Sequence, residues 1–216
     1  MVLERLVRAA LRLIDESVPH DAVRFEAIPK SHHAVLRPSR WSDRAEERRL
    51  RDLVRFVAER LSSGTPTFVV WHFDGDVPWS QRVESVNVRR FEEVIQTRVR
   101  RILSTTQRPV GIDHLLRMVP FYSVEAWLFQ NFRKLERMEL DGSDRARVSA
   151  WRERREGLDE ISKVKESLSI RDRRNAELAK GWPAADVEAV GASFAATMRD
   201  WRANRALTQA LADLHP

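Results

Sequence analysis

Residues 67–76 read TFVVWHFDGD: Thr67, Phe68, Val69, Val70, Trp71, His72, Phe73, Asp74, Gly75, Asp76. The run Thr67–Phe73 is almost wholly apolar or aromatic and lies between turn signals, SSGTP before it and Asp-Gly-Asp after it. It is too short for a helix, and an unbroken apolar run of this length predicts a central strand covered on both faces. Such a strand ends by delivering two carboxylates at its carboxyl end, where ligands sit in open α/β sheets.

Working outward, Leu50, Leu53, Val54, Val57 and Leu61 recur at helical spacing ahead of this strand, with Ser42 and Asp43 opening the helix. Still earlier, Leu3, Leu6, Val7, Ala10, Leu11 and Ile14 predict an amphipathic helix over 2–17. Between the two, AVRFEAIP at 22–29 alternates, with Val23, Phe25 and Ala27 on one face, and predicts a strand closed by Pro29. Downstream, Phe91, Val94, Ile95, Val99, Ile102 and Leu103 mark a third helix. His114–Val119 then predicts another core strand, stopped by Pro120, and Ser123 is the expected N-cap of a helix over 124–129. The order α, β, α, β, α, β, α implies an α/β domain with a parallel-type sheet flanked by helices. Beyond about residue 140 the chain is highly charged and without strand signals, and a last helix is expected from Trp182-Pro183 through Val187, Val190, Phe194, Met198 and Trp201 toward Leu211. The expected organisation is an α/β domain over 1–138 and an all-helical C-terminal extension over 139–216.

Composition restricts the chemistry. With 216 residues and 43% hydrophobic content the chain can bury a core, whereas no apolar stretch has the length of a membrane span. The charged N-terminus, MVLERLVRAALRLIDE, lacks a signal-peptide apolar run, so a cytoplasmic protein with no membrane partner is expected. The absence of cysteine removes disulfides, thiolate catalysis and zinc-thiolate sites, leaving carboxylates and histidines as metal ligands. A formal charge of +6 suits a polyanionic partner, although the basic residues are interleaved with 32 acids, as on ordinary solvated helix faces. The densest basic stretch, Arg89, Arg90, Arg98, Arg100 and Arg101, lies close in sequence to the acidic pair, a placement that favours nucleic acid. The apolar stripes of the C-terminal helices suit either the sheet or a homo-oligomer.

Asp74 and Asp76, at i and i+2, put both carboxylates on one side of the chain if the strand persists, while Gly75 permits a tight turn between them. Two hard oxygen ligands suit Mg2+ or Mn2+, which keeps several waters and accepts substrate phosphate oxygens. Asp and Gly are also ordinary turn residues after a strand. Glu125 follows the next predicted strand in the first turn of a helix, where a carboxylate is favoured by the helix dipole, and can converge with the pair from a neighbouring strand end. His72, beside Asp74, reads as a packed histidine or a substrate-side base. His32 and His33 read as a solvated loop. Trp71 and Trp127 read as core, and Trp79 as an exposed ring able to stack on a base.

FVVWHFDGD, followed by a helix and a strand leading into VPFYSVEAWLF, resembles the TOPRIM-like proteins related to the OLD-family nucleases, in which the last strand runs into a segment like Glu125-Ala126-Trp127-Leu128. The resemblance covers roughly residues 1–135. It implies metal-dependent phosphodiester hydrolysis in a bacterial defence module with an ATPase partner. Asp74 and Asp76 would be metal ligands, and Glu125 a third ligand or the group that orients a metal-bound water. Glu4 would be a further ligand or acid/base, matching the second Glu of a segment whose strand and first Glu have no counterpart here. Arg89 and Arg90 would hold substrate phosphates. Two other readings stand beside this one. One is a TOPRIM-like scaffold that has lost catalysis and binds nucleic acid or protein. The other is a haloacid-dehalogenase-like phosphatase with Asp74 as nucleophile and Asp76 as acid/base, whose motif would normally occupy the first strand.

Overall fold

The computed structural model describes residues 2–19, 21–63, 67–77, 84–105, 109–154, 157–170 and 174–214. The protein is mixed α/β, mostly helical, with a small parallel sheet. The chain divides into two compact units, each drawn from three segments. The first comprises Met1–Val23, Asp74–Val83 and Val119–Asp200; the second comprises Arg24–Phe73, Glu84–Met118 and Trp201–Pro216.

The second unit contains the sheet. β1 (Val69–His72) pairs in parallel with β2 (Leu115–Met118), with Val69 opposite Leu115 and His72 opposite Met118. Both predicted core strands therefore form, slightly shorter than the apolar runs that announced them. Asp43 starts the preceding helical segment by accepting a hydrogen bond from the Ala45 N–H at 2.9 Å. One 3-10 turn then leads into a helix over Glu47–Leu61, whose stripe Leu50, Leu53, Val54, Val57 and Leu61 is buried. Ser85 caps the next helix, Val86–Arg90, which continues through a π turn, Phe91–Gln96, into Thr97–Thr105. Phe91, Ile95, Val99 and Leu103 are all fully buried. A spacing of four outruns the 3.6 residues of an α-turn, and the wider π turn realigns the stripe with the core. Trp41 stands edge-on to Trp71 and Phe73, with ring centroids 6.0 and 5.8 Å away.

The first unit is helical among the described residues. Its N-terminal helix, Val2–Ile14, buries Leu6, Val7, Ala10 and Leu11, the stripe expected from the sequence. Trp127, Trp182 and Phe194 pack into an aromatic cluster. Beneath it the Trp127 indole N–H donates to Ser193 Oγ at 2.7 Å, and Ser193 Oγ donates to Asp159 Oδ1 at 2.5 Å. Asp159 Oδ2 also accepts the Ser193 backbone N–H at 3.1 Å. Burial raises the Asp159 carboxyl above its ordinary range, while the Ser193 hydrogen bonds oppose that shift.

Two expectations are corrected. The alternating segment 22–29 is not a strand: 23–29 is irregular, and Phe25 is 38% exposed. Alternation produces a strand only where another strand accepts its hydrogen bonds, and among the described residues the sheet consists of β1 and β2 alone. The last helix is not continuous either. It is three helices, Ala184–Val190, Ala192–Ala203 and Arg205–Ala212. The first break falls at Gly191; the second is made by Asn204, whose side chain accepts the Leu207 N–H at 3.0 Å and starts a new helix.

Candidate acidic site

The two strand exits meet in the first unit. The Gly75 N–H donates to the Pro120 carbonyl at 2.9 Å and the Val77 N–H to that of Phe121 at 2.8 Å. The approach is so close that a Cβ at Gly75 would stand 2.5 Å from the Phe121 carbonyl oxygen, which is why glycine occupies the middle of the Asp-Gly-Asp turn. Asp76 then adopts φ 59°, a left-handed conformation that Asp tolerates better than most residues. β1 has ended at His72, so the strand does not persist through Asp76, as the i, i+2 expectation required. Asp74 is half-buried and Asp76 exposed.

Asp74 reaches across to the segment that follows β2, where its Oδ1 accepts the Val124 N–H at 3.2 Å. It thereby serves the start of a one-turn helix, Glu125–Leu128, a role expected of Ser123. The Ser123 hydroxyl is buried and, among the described residues, has no hydrogen-bond partner. The Ala126 N–H goes instead to the Ser123 carbonyl at 3.0 Å. Glu125 is itself buried, at 5% exposure, and its Oε1 accepts a 2.8 Å hydrogen bond from the side-chain amide of Asn175.

These placements put Asp74 in a negative field. Its pKa is raised from 3.8 to about 7, first by burial and then by the charges of Glu125 and Asp76. The Val124 hydrogen bond and the charge of Lys165 act in the opposite direction. Glu125 and Asp76 thus both act on the charge of Asp74. Lys165, whose charge acts on Asp74, and Asn175, which donates to Glu125, are residues that sequence reasoning missed. Asn175 lies 50 residues from Glu125 in a charged stretch with no motif to mark it.

The other predicted site residues lie elsewhere. Glu4 pairs with Arg8 on its own helix at 3.4 Å, and Arg8 also donates to the Val23 carbonyl at 3.0 Å. His72 ends β1, half-buried, in the second unit. Arg89 and Arg90 also belong to that unit, in the last turn of the helix that Ser85 caps, Arg89 exposed and Arg90 half-buried. Arg98 pairs with Glu47 at 2.8 Å. His33 contacts the Ile28 carbonyl at 3.0 Å, and His32 packs on Phe56. Trp71 and Trp127 are core residues, as expected, and Trp79 lies outside the described residues.

No family model, characterised protein or solved structure matches this chain. The functional reading therefore rests on the chemistry of the site. Among the described residues no group of three or more histidines and carboxylates is arranged to hold a metal ion. A hard cation needs fewer, since Mg2+ is usually bound by one or two carboxylates and completes its shell with water and phosphate oxygens. Asp74, with the carboxylates of Glu125 and Asp76 acting on its charge, supplies hard oxygen donors of the kind such an ion takes. Among the described residues no helix is long and apolar enough to cross a membrane.

Proposed function

We propose that this chain is a metal-dependent nuclease of TOPRIM type, hydrolysing phosphodiester bonds with Mg2+ or Mn2+ held at Asp74, Asp76 and Glu125. The observation that carries the reading is the raised pKa of Asp74, held by burial and by the negative charges of Glu125 and Asp76. A carboxylate whose proton affinity is raised by neighbouring negative charge also favours a divalent cation, which relieves the same repulsion. When bound, such a cation orients a phosphate, lowers the pKa of an attacking water and offsets charge on the leaving oxygen.

The remaining chemistry belongs to the chain. The Val124 N–H fixes one oxygen of Asp74, and the Asn175 amide fixes one oxygen of Glu125, so both carboxyl groups are held in place by the fold. Asp76 is exposed, in a left-handed turn two residues after Asp74. Lys165 contributes positive charge that suits a phosphate. A net charge of +6 favours a polyanionic substrate. A cytoplasmic role in a defence module beside an ATPase partner follows from the resemblance, and self-association is an open part of the same proposal.

A second reading, a scaffold without catalysis, is favoured by the structural work that Asp74 and Glu125 already do for Val124 and Asn175. The test is cleavage of single- and double-stranded DNA and RNA with Mg2+ or Mn2+, alongside Asp74→Ala and Asp76→Ala. The nuclease reading expects metal-dependent cleavage that both substitutions abolish. A folded chain that neither cuts nor binds a divalent cation is the scaffold.

A further inference from the structure

Ser123 precedes Val124 and Glu125, and among the described residues its hydroxyl is left without a partner. A serine just before a helix ordinarily turns its hydroxyl onto a backbone N–H of the first turn. Here it does not: the Ala126 N–H is bonded to the Ser123 carbonyl instead, and Asp74 Oδ1 holds the Val124 N–H. The residue is 4% exposed, so water does not replace the missing partner freely, and among the described residues its Oγ makes no hydrogen bond. Burying a hydroxyl without a partner opposes folding, and alanine would avoid the cost. Its position suggests why a hydroxyl is kept. The next residue is tied to Asp74, and the one after that is Glu125.

We propose that Ser123 Oγ is a direct ligand of the divalent cation, a further protein oxygen beside the carboxylates of Asp74, Asp76 and Glu125. This rests on the metal-centre reading above. A neutral hydroxyl adds a hard oxygen without further like-charge repulsion.

The test uses the full chain and Mn2+ or Cd2+ alone, with affinity measured by calorimetry and folding by thermal melting without metal. Ser123→Ala should weaken Mn2+ binding about tenfold or more and leave the metal-free melting temperature unchanged or raised. Ser123→Cys introduces the only thiol in a chain that has no cysteine. It should raise the Cd2+ to Mn2+ affinity ratio by about tenfold and produce an ultraviolet thiolate-to-Cd2+ absorption band. A purely structural serine predicts the opposite pattern: lower metal-free stability in Ser123→Ala with unchanged Mn2+ affinity and no cadmium preference in Ser123→Cys. That pattern, with Asp74→Ala still abolishing binding, overturns the role of Ser123 alone. A wild-type chain that binds no Mn2+ overturns both this proposal and the metal centre. Metal binding with no cleavage of any nucleic acid removes the nuclease reading and leaves the ligand assignment supported or refuted by the same affinities.

Discussion

Replacing Asp74 by asparagine should make the protein more stable at neutral and alkaline pH while abolishing its proposed activity. The native Asp74 carboxyl holds its proton up to about pH 7, whereas in the unfolded chain it releases it near the ordinary value of 3.8. Between these values the native state binds more protons than the unfolded state, so stability falls as pH rises through the interval and the penalty is complete above it. Each pH unit corresponds to about 1.36 kcal/mol, so the interval from 3.8 to about 7 represents on the order of 4 kcal/mol. Asparagine keeps an oxygen to accept the Val124 N–H and carries no charge to repel Glu125 and Asp76. Urea denaturation at about pH 4, 7 and 8.5 should show Asp74→Asn matching the wild type in acid and exceeding it by roughly 2–4 kcal/mol at the alkaline end. Saturating Mg2+ should close that gap by stabilising the charged wild-type carboxylate. An Asp74→Asn protein with the same pH–stability curve as the wild type would show that Asp74 is an ordinary solvated carboxylate, and the electrostatic case for the site would fall with it.

Other consequences can be checked alongside. Gly75→Ala drives a methyl group into the Phe121 carbonyl and should separate the two strand exits, costing roughly 2–3 kcal/mol in a denaturant titration; a cost below that of a surface alanine refutes the close approach. Asn175→Ala removes the donor to buried Glu125 and should destabilise by about 1–3 kcal/mol, with weaker Mn2+ binding in calorimetry if Glu125 is a ligand. Ser193→Ala leaves Asp159 Oδ1 and the Trp127 indole without their shared partner. It should cost about 2 kcal/mol at neutral pH and less in acid, where Asp159 is protonated in both states; a pH-independent loss argues that Asp159 is not charged in the native protein.

How much was legible beforehand varies by element. The helical stripes of Val2–Ile14 and Glu47–Leu61 and the apolar runs that became β1 and β2 were readable because burial on one face, or on both, imposes a period that a local window contains. The same logic misled at 22–29, where the alternation is present but no strand pairs with it, and over 182–211, where the apolar stripe runs across breaks at Gly191 and Asn204. At the site, the sequence supplied Asp74, Asp76 and Glu125, since acids after core strands occupy a predictable place. It could not assign Ser123: the motif before Glu125 reads as a cap, and only the folded chain shows that the hydroxyl makes no capping bond while Asp74 reaches the Val124 N–H.

By itself, then, the sequence determined which segments are buried and which acids stand at their ends, because these depend on short-range pattern and residue type. Tertiary structure decided the ionisation of Asp74, the partner of Glu125 and the unused hydroxyl of Ser123. Each depends on a group about 50 residues away along the chain, and desolvation and charge–charge coupling follow distance in space rather than in sequence.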